Sequence, residues 1–187
     1  MDDILFSSGH QEWETPKELF NRLNEEFNFT LDAAASGHNS KCDFYLDAET
    51  DALTKPWIGR VFLNPPYGKM IGKFIQKAYE EAQQNAELVV CLIPARTDTA
   101  YWHDYVMKAA EIRLIRGRVK FGVTIDGQKL SFATAPFPSA IIVFIKGSWN
   151  PRLVAYMQKT KEMVDKDDDC LLDGVDDLLD EVDDLDF

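Results

Sequence analysis

The sequence has little of what membrane spans, secretion or metal scaffolds require. No apolar run approaches the ~18 residues needed to cross a bilayer, and the start, Met1-Asp2-Asp3, is the reverse of a basic signal-peptide n-region. A protein of the cytoplasm, outside any membrane, is the expectation. Cysteine occurs three times in 187 residues, as Cys42, Cys91 and Cys170, without a CxxC pair, and the three histidines are scattered. This set argues against a disulfide framework and against a structural zinc, so no metal is expected. Internal repeats are absent as well.

Positive charge is also scarce, with a formal net charge of -12, which at first excludes a polyanionic partner. Its distribution changes that inference. From Asp165 to Phe187 there are eleven Asp, one Glu and one Lys, leaving residues 1–164 with 19 basic and 20 acidic groups. A nearly neutral body with local basic clusters can hold a polyanion in a cleft. The expected organisation is therefore one domain over 1–164 and an acidic tail over 165–187. The tail's Leu171, Leu172, Val175, Leu178, Leu179, Val182 and Leu185 fall at helical spacing, interrupted by Gly174. It can be read as a solvated end, as a mimic of a nucleic-acid strand, or as a docking segment, and the first is favoured.

The body alternates strand and helix signals. Thr15 as N-cap, Pro16 at the first helical position and Glu18 at the capping-box place predict a helix start, and Leu19, Phe20, Leu23 and Phe27 carry it to Asn28. Residues 29–34 read as a short buried strand and 36–56 as a polar loop. Arg60-Val61-Phe62-Leu63 is a strand stopped by Asn64-Pro65-Pro66-Tyr67-Gly68. A helix over 71–84, a buried strand over 88–93, a helix over 99–110, a strand over 111–121 and a last strand over 140–145 follow, with 135–139 as a rigid approach loop. This is the grammar of a parallel α/β unit.

The chemistry centres on Asn64-Pro65-Pro66-Tyr67. Two prolines after a strand-end amide can hold Asn64 Oδ1 and the Pro65 carbonyl as neighbouring acceptors, which suits an NH₂ group. Accepting both hydrogens of an aromatic amine draws its lone pair out of the ring and makes the nitrogen nucleophilic towards an in-line methyl. Tyr67 offers a flat face for the heterocycle. The plainer reading is a turn opener followed by a strand breaker.

The tetrapeptide resembles the motif of S-adenosylmethionine-dependent amino methyltransferases. Together with Trp13-Glu14-Thr15-Pro16, Leu31-Asp32-Ala33-Ala34-Ala35, Ala52-Leu53-Thr54-Lys55-Pro56-Trp57, Pro94-Ala95-Arg96-Thr97-Asp98-Thr99 and Arg116-Gly117-Arg118-Val119-Lys120-Phe121-Gly122, it resembles the phage-type DNA adenine methyltransferases of the Dam family, in order from Trp13 to Ile145. The resemblance implies a Rossmann-like methyltransferase fold, α/β with a mostly parallel central sheet flanked by helices. It also implies S-adenosylmethionine as cofactor and double-stranded DNA as partner. Asn64, Pro65, Pro66 and Tyr67 would be the catalytic set. Thr15 and Pro16 match the segment that closes on the cofactor's methionine moiety, and Asp32 matches the acid that receives its ammonium. Asp47 or Asp51 is a candidate for the ribose hydroxyls or adenine amine. Where the family's first motif is glycine-rich, this chain has Asp-Ala-Ala-Ala-Ser before Gly37. Asp32 can equally cap the segment after it, and Thr15-Pro16 can be helix-start chemistry alone.

Arg96, Arg116, Arg118 and Lys120 are the candidates for substrate binding, with Arg113 and Lys129 nearby. On one strand, Arg116, Arg118 and Lys120 would share a face and track phosphates, or form a solvated strand face. Arg96 ranks above them because it follows a buried strand at the carboxyl edge of the sheet. Trp102 and His103 are expected to pack or to rim the site. Sequence reading by the enzyme would fall to loops 36–56 and 122–139. The leading expectation is transfer of a methyl to the amino nitrogen of a flipped adenine. The alternatives are a protein-glutamine or RNA amino methyltransferase, and an idle binding protein with a DNA-mimic tail.

Overall fold

The computed structural model describes residues 11–47, 51–125 and 128–157. The expected tail at 165–187 lies outside the described residues, as does the side chain of Lys129. Ten strands are described: β1 Gln11–Glu14, β2 Leu31–Asp32, β3 Phe44–Tyr45, β4 Gly59–Leu63, β5 Ala86–Pro94, β6 Glu111–Arg116, β7 Lys120–Ile125, β8 Gln128–Thr134, β9 Ser139–Phe144 and β10 Arg152–Met157. The helices are α1 Lys17–Phe27, α2 Ile71–Gln84 and α3 Ala100–Asp104, with a 3-10 turn at Val106–Lys108.

Seven strands form one sheet in the order β10-β6-β9-β5-β4-β2-β3. The pairs β10·β6, β4·β5, β2·β4 and β2·β3 are parallel, and β9 runs antiparallel between β5 and β6. This is an α/β architecture with a mostly parallel sheet. Strand alternation divides the core. Val61, Leu63, Val89, Cys91, Ile93, Ile142 and Phe144 face α2 through Ile71, Ile75, Ala78 and Ala82. Phe62, Leu88, Val90, Leu92, Ile141 and Val143 face α1 through Leu19, Phe20, Leu23 and Phe27. With both faces covered, β5 and β9 read as nearly continuous apolar runs.

Helix α2 spans the residues its periodicity predicts. Helix α1 ends as expected at Asn28, which takes the left-handed conformation (φ 49°) and donates its N–H to Asn24 O at 2.8 Å. Its start differs from expectation. Pro16, with extended backbone, occupies the cap position and no side chain caps the helix, so Thr15 and Glu18 do not make a capping box. Thr15 is instead buried, at 4% exposure. The strand expected at 29–34 is regular only at Leu31–Asp32, although Thr30 and Ala33 donate to Arg60 O and Phe62 O beside β4.

The stretch 99–110 is a short helix and a 3-10 turn, not one helix. More consequentially, 111–121 is not one strand. Gly117 adopts φ 81°, a conformation suited to glycine, and breaks the run between β6 and β7. Strand β7 then pairs antiparallel with β1 and β8 in a separate three-stranded sheet, so the expected loop at 122–139 is mostly a hairpin. Arg116, Arg118 and Lys120 are all exposed, but they flank a turn and do not form one strand face.

Candidate active site

In parallel α/β sheets, functional groups gather where the strands end at their carboxyl edge. Here Asp32 closes β2, Asn64 follows β4, Arg96 follows β5 and Arg116 closes β6. Against the first two lies a cavity of about 380 Å³, whose lining includes Thr15, Asp32, Asp47, Asp51, Asn64, Pro65, Pro66 and Tyr67. Eight of the thirteen residues singled out in the sequence thus meet in one place. Pro16 lines an adjoining cleft that shares Glu14, Thr15 and Lys41 with the cavity. Arg96, Arg116, Arg118 and Lys120 are not in the lining.

The Asn64 end is built on the sheet. Leu63 is fully buried, Pro65 is buried, and the prolines carry the chain away from β4. Asn64 Nδ2 donates to the backbone carbonyl of Trp13, which decides the orientation of the amide. Asn64 Oδ1 is then a buried acceptor without a hydrogen-bond partner. An unmatched buried carbonyl costs about 1–3 kcal/mol unless a ligand donor meets it. Tyr67 is half-buried, its ring edge-on to Phe137 at 5.4 Å and to Phe121 at 6.0 Å. Trp13 packs against the same two rings, at 5.9 and 5.7 Å. Burial pushes the Tyr67 phenol well above its ordinary range, with Tyr101 adding to the shift, and its hydroxyl donates to Leu92 O at 3.4 Å.

At the other end Asp32 is itself the last residue of β2, and the groups around it come from loops. Asp32 is 3% exposed and accepts the Lys41 N–H at Oδ2 (3.1 Å) and the Ala34 N–H at Oδ1 (3.4 Å). Burial raises its pKa, against the lowering effect of those two bonds and of the Lys41 charge. The bond to Ala34 is local capping, so that role coexists with a place in the cavity. Lys41 Nζ pairs with Glu14 Oε1 at 2.8 Å. Asp51 sits at φ 47° and accepts the Leu53 N–H at Oδ1 (3.2 Å), while its carbonyl accepts from Thr54 and Lys55.

Behind Asp51, Trp57 is fully buried; its indole N–H donates to Ala52 O at 2.8 Å and its backbone N–H to Glu81 Oε2 at 2.9 Å. Glu81 also accepts from Lys77 and Asn85, and these bonds outweigh the upward push of burial and lower its pKa. Cys42, on the same loop as Lys41, is pushed up to about 12 by burial and by the Asp32 and Asp43 charges, so it remains a thiol. Trp102 is packed in the core and His103 is exposed, as expected of packing and rim positions.

Trp13, Glu14, Lys41 and Glu81 were not singled out as site residues. Trp13 acts through its backbone carbonyl, which no side-chain pattern announces. Glu14 and Lys41 are 27 positions apart and ordinary in composition. Glu81 is one acid among several on an amphipathic helix, and only its burial at 4% exposure marks it.

Comparison with known proteins places the chain in a family. The DNA N-6-adenine-methyltransferase of Escherichia phage T1 is 38% identical over 104 residues, covering 54% of this chain and 42% of that protein. The DNA N-6-adenine-methyltransferase of Haemophilus phage HP1 (strain HP1c1) is 32% identical over 113 residues, covering 58% of this chain and 65% of that protein. The alignments therefore span less than two thirds of either relative. The family model for DNA N-6-adenine-methyltransferase (Dam) matches residues 5–169, which takes in every strand and helix described above. From the paired ends of β2 and β4 to the hairpin that packs on Tyr67, this chain belongs to the DNA N-6-adenine-methyltransferase (Dam) family.

Proposed function

We propose that the protein transfers a methyl group from S-adenosylmethionine to the exocyclic amino nitrogen of an adenine flipped out of double-stranded DNA, on a Rossmann-like scaffold, in the cytoplasm of a bacterial or phage-infected cell. The observation that carries this reading is the buried, unpartnered Asn64 Oδ1 in a cavity that also holds Asp32. The cavity volume suits a nucleoside-sized ligand. The donor set fits too, because the lining carries Glu14, Asp32, Asp47 and Asp51 against one cation, Lys41, which favours a ligand with positive charge.

When bound, S-adenosylmethionine supplies an electrophilic methyl on a sulfonium. Asp32 would receive its ammonium, with Asp47 or Asp51 on the nucleoside hydroxyls or amine and Thr15 and Pro16 closing the methionine side. Asn64 Oδ1 and the Pro65 carbonyl accept the two amine hydrogens and leave the nitrogen lone pair directed at the methyl. Because the Trp13 carbonyl holds the other end of the amide, Asn64 offers its oxygen without reorganising. Tyr67, braced by Phe121 and Phe137, supplies the ring face for the flipped base, and its protonated phenol takes no part as a base. The amine proton leaves after attack, to solvent water. Arg96, Arg116, Arg118 and Lys120 contact phosphates along the carboxyl edge, as point charges around turns.

The test is transfer of tritiated methyl from S-adenosylmethionine to adenine-unmethylated DNA, with nucleoside analysis of the product. Label in N6-methyladenine supports the reading. Label only on RNA or protein, or no cofactor binding by the intact chain, overturns it.

A further inference from the structure

Strand β1 contributes two consecutive residues to the cavity, and each holds a different half of it. Trp13 belongs to the acceptor half: its ring shares Phe121 and Phe137 with Tyr67, and its carbonyl takes the Asn64 N–H. Glu14 belongs to the donor half: its carboxylate meets Lys41 Nζ at 2.8 Å, with the two side chains only 16% and 15% exposed. Lys41 in turn gives its backbone N–H to Asp32. A continuous path runs Asn64, Trp13, Glu14, Lys41, Asp32, made of one peptide link, one ion pair and two hydrogen bonds.

The path is braced from behind. Glu14 lies opposite Gly122 in the β1·β7 register. A Cβ at Gly122 would stand 3.0 Å from Glu14 Oε2 and 3.3 Å from Glu14 Cβ, so the glycine leaves the carboxylate its place. A partly buried pair of this kind is little screened, and removing one member leaves the other charge poorly compensated.

Resting on the methyl-transfer reading, we infer that Glu14 and Lys41 are positioning residues that couple the cofactor side of the cavity to the Asn64 amide through β1. Neither needs to touch the reacting atoms. Breaking the pair removes the side-chain tie between β1 and the loop residue whose N–H holds Asp32, so cofactor affinity and the rate of transfer at saturating cofactor fall together. Were the pair a cofactor contact alone, only affinity would fall.

The experiment uses the full chain with Lys41→Met, Glu14→Gln, the double variant, and Lys41→Arg as the charge-conserving control. Gly122→Ala displaces Glu14 by a route that leaves both charges in place. S-adenosylmethionine binding is measured calorimetrically without DNA, single-turnover transfer is measured at saturating cofactor, and thermal melting reports folding. Lys41→Met, Glu14→Gln and Gly122→Ala should each lose on the order of tenfold in both cofactor affinity and saturated rate. The double variant should be no worse than the more damaging single, because contacting residues are non-additive, and Lys41→Arg should recover most of both. The inference is overturned if affinity falls while the saturated rate stands, if the single losses add, or if only the melting temperature moves. A wild-type chain that binds no S-adenosylmethionine overturns the underlying reading instead.

Discussion

The two halves of the cavity are made in different ways. Around Asn64, placement comes from the sheet: a buried strand end, two residues of restricted φ and a cluster of edge-on aromatic rings. Asp32 also ends a strand of that sheet, but the groups around it and around Asp51 are placed by loops held by single polar bonds, to Lys41, Ala34, Leu53 and, through Trp57, to Glu81. Methyl transfer to a weakly nucleophilic amine is sensitive to the angle and distance of attack. It is the acceptor half, where the angle is set, that carries the stiff construction. On the proposed reading the donor half admits and releases a cofactor at each turnover, and bonds worth about 1 kcal/mol each suit a surface that opens.

The two halves should therefore fail differently. Asn64→Ala should cost about 10²- to 10³-fold in the maximal rate, the range for losing one preorganised transition-state hydrogen bond, while cofactor affinity changes less than about twofold. Rates at saturating cofactor and calorimetric binding give both numbers. An Asn64→Ala enzyme that loses cofactor affinity in proportion to rate would show that this amide is not confined to the acceptor half.

Asp32→Asn should do the reverse, losing about ten- to a hundredfold in cofactor affinity, the worth of a charge-assisted hydrogen bond. It should also remove a pH dependence. Burial raises the Asp32 pKa above its ordinary value, so over the acid range between the two values the folded protein holds a proton that the unfolded chain has lost. This group's contribution to stability therefore declines as pH rises through that window. An ammonium ligand favours the charged carboxylate, so wild-type affinity should climb across the same window as the proton is released. Titrations between pH 4 and 7 would show the slope in wild type and its absence in Asp32→Asn.

Glu81 has the opposite sign. Its pKa is depressed, so its stabilisation is present above the ordinary carboxylate range and is lost as pH falls through the lowered value. Glu81→Gln should destabilise by about 1–3 kcal/mol at neutral pH, leaving Lys77 without its charged partner, and should flatten the acid limb of a melting-temperature profile. Because Trp57 holds Ala52 beside Asp51, the same variant should weaken cofactor binding several-fold with little change in the saturated rate. A loss confined to rate would place the 51–57 loop on the acceptor side.

The acceptor half was legible in the sequence because its signals are local: a β-prone run, two prolines and an aromatic residue occupy eight consecutive positions, Arg60 to Tyr67. Asp32 and Asp51 could be named from the resemblance, but the residues around them could not, since Lys41 reaches Asp32, Glu14 reaches Lys41 and Glu81 reaches Trp57 through the fold and not by spacing. The clearest miss has a physical cause in one residue. Arg116-Gly117-Arg118-Val119-Lys120 alternates charged and uncharged residues as a strand would, yet 116–118 are all exposed and Gly117 at φ 81° turns the chain into a second sheet. Periodicity cannot register a turn that a glycine makes inside an alternating run. That turn leads into β7 and the second sheet, and Phe121 and Phe137 pack against Tyr67, so the stiffness of the acceptor half rests on the part of the fold that the alternation disguised.

The smallest effect should come from Tyr67→Phe. If Tyr67 serves through its ring, the substitution keeps the face and the edge-on contacts with Phe121 and Phe137 and removes only a 3.4 Å hydrogen bond to Leu92 O. A bond of that length contributes no more than about 1 kcal/mol, so kcat/KM should stay within about fivefold of wild type and the melting temperature within a few degrees. Tyr67→Ala deletes the face as well, and should lose the stacking that is worth about 1–3 kcal/mol per base; DNA affinity is where that loss should be read. The pair of variants tests whether stiffness or chemistry explains the residue. The phenol is held protonated far above working pH by burial, so a hydroxyl role would have to be hydrogen-bond donation, and Tyr67→Phe would then fall with Asn64→Ala in rate. Near-wild-type transfer by Tyr67→Phe beside a crippled Tyr67→Ala would leave the ring as the working part, held by the hairpin and not by its own polar end.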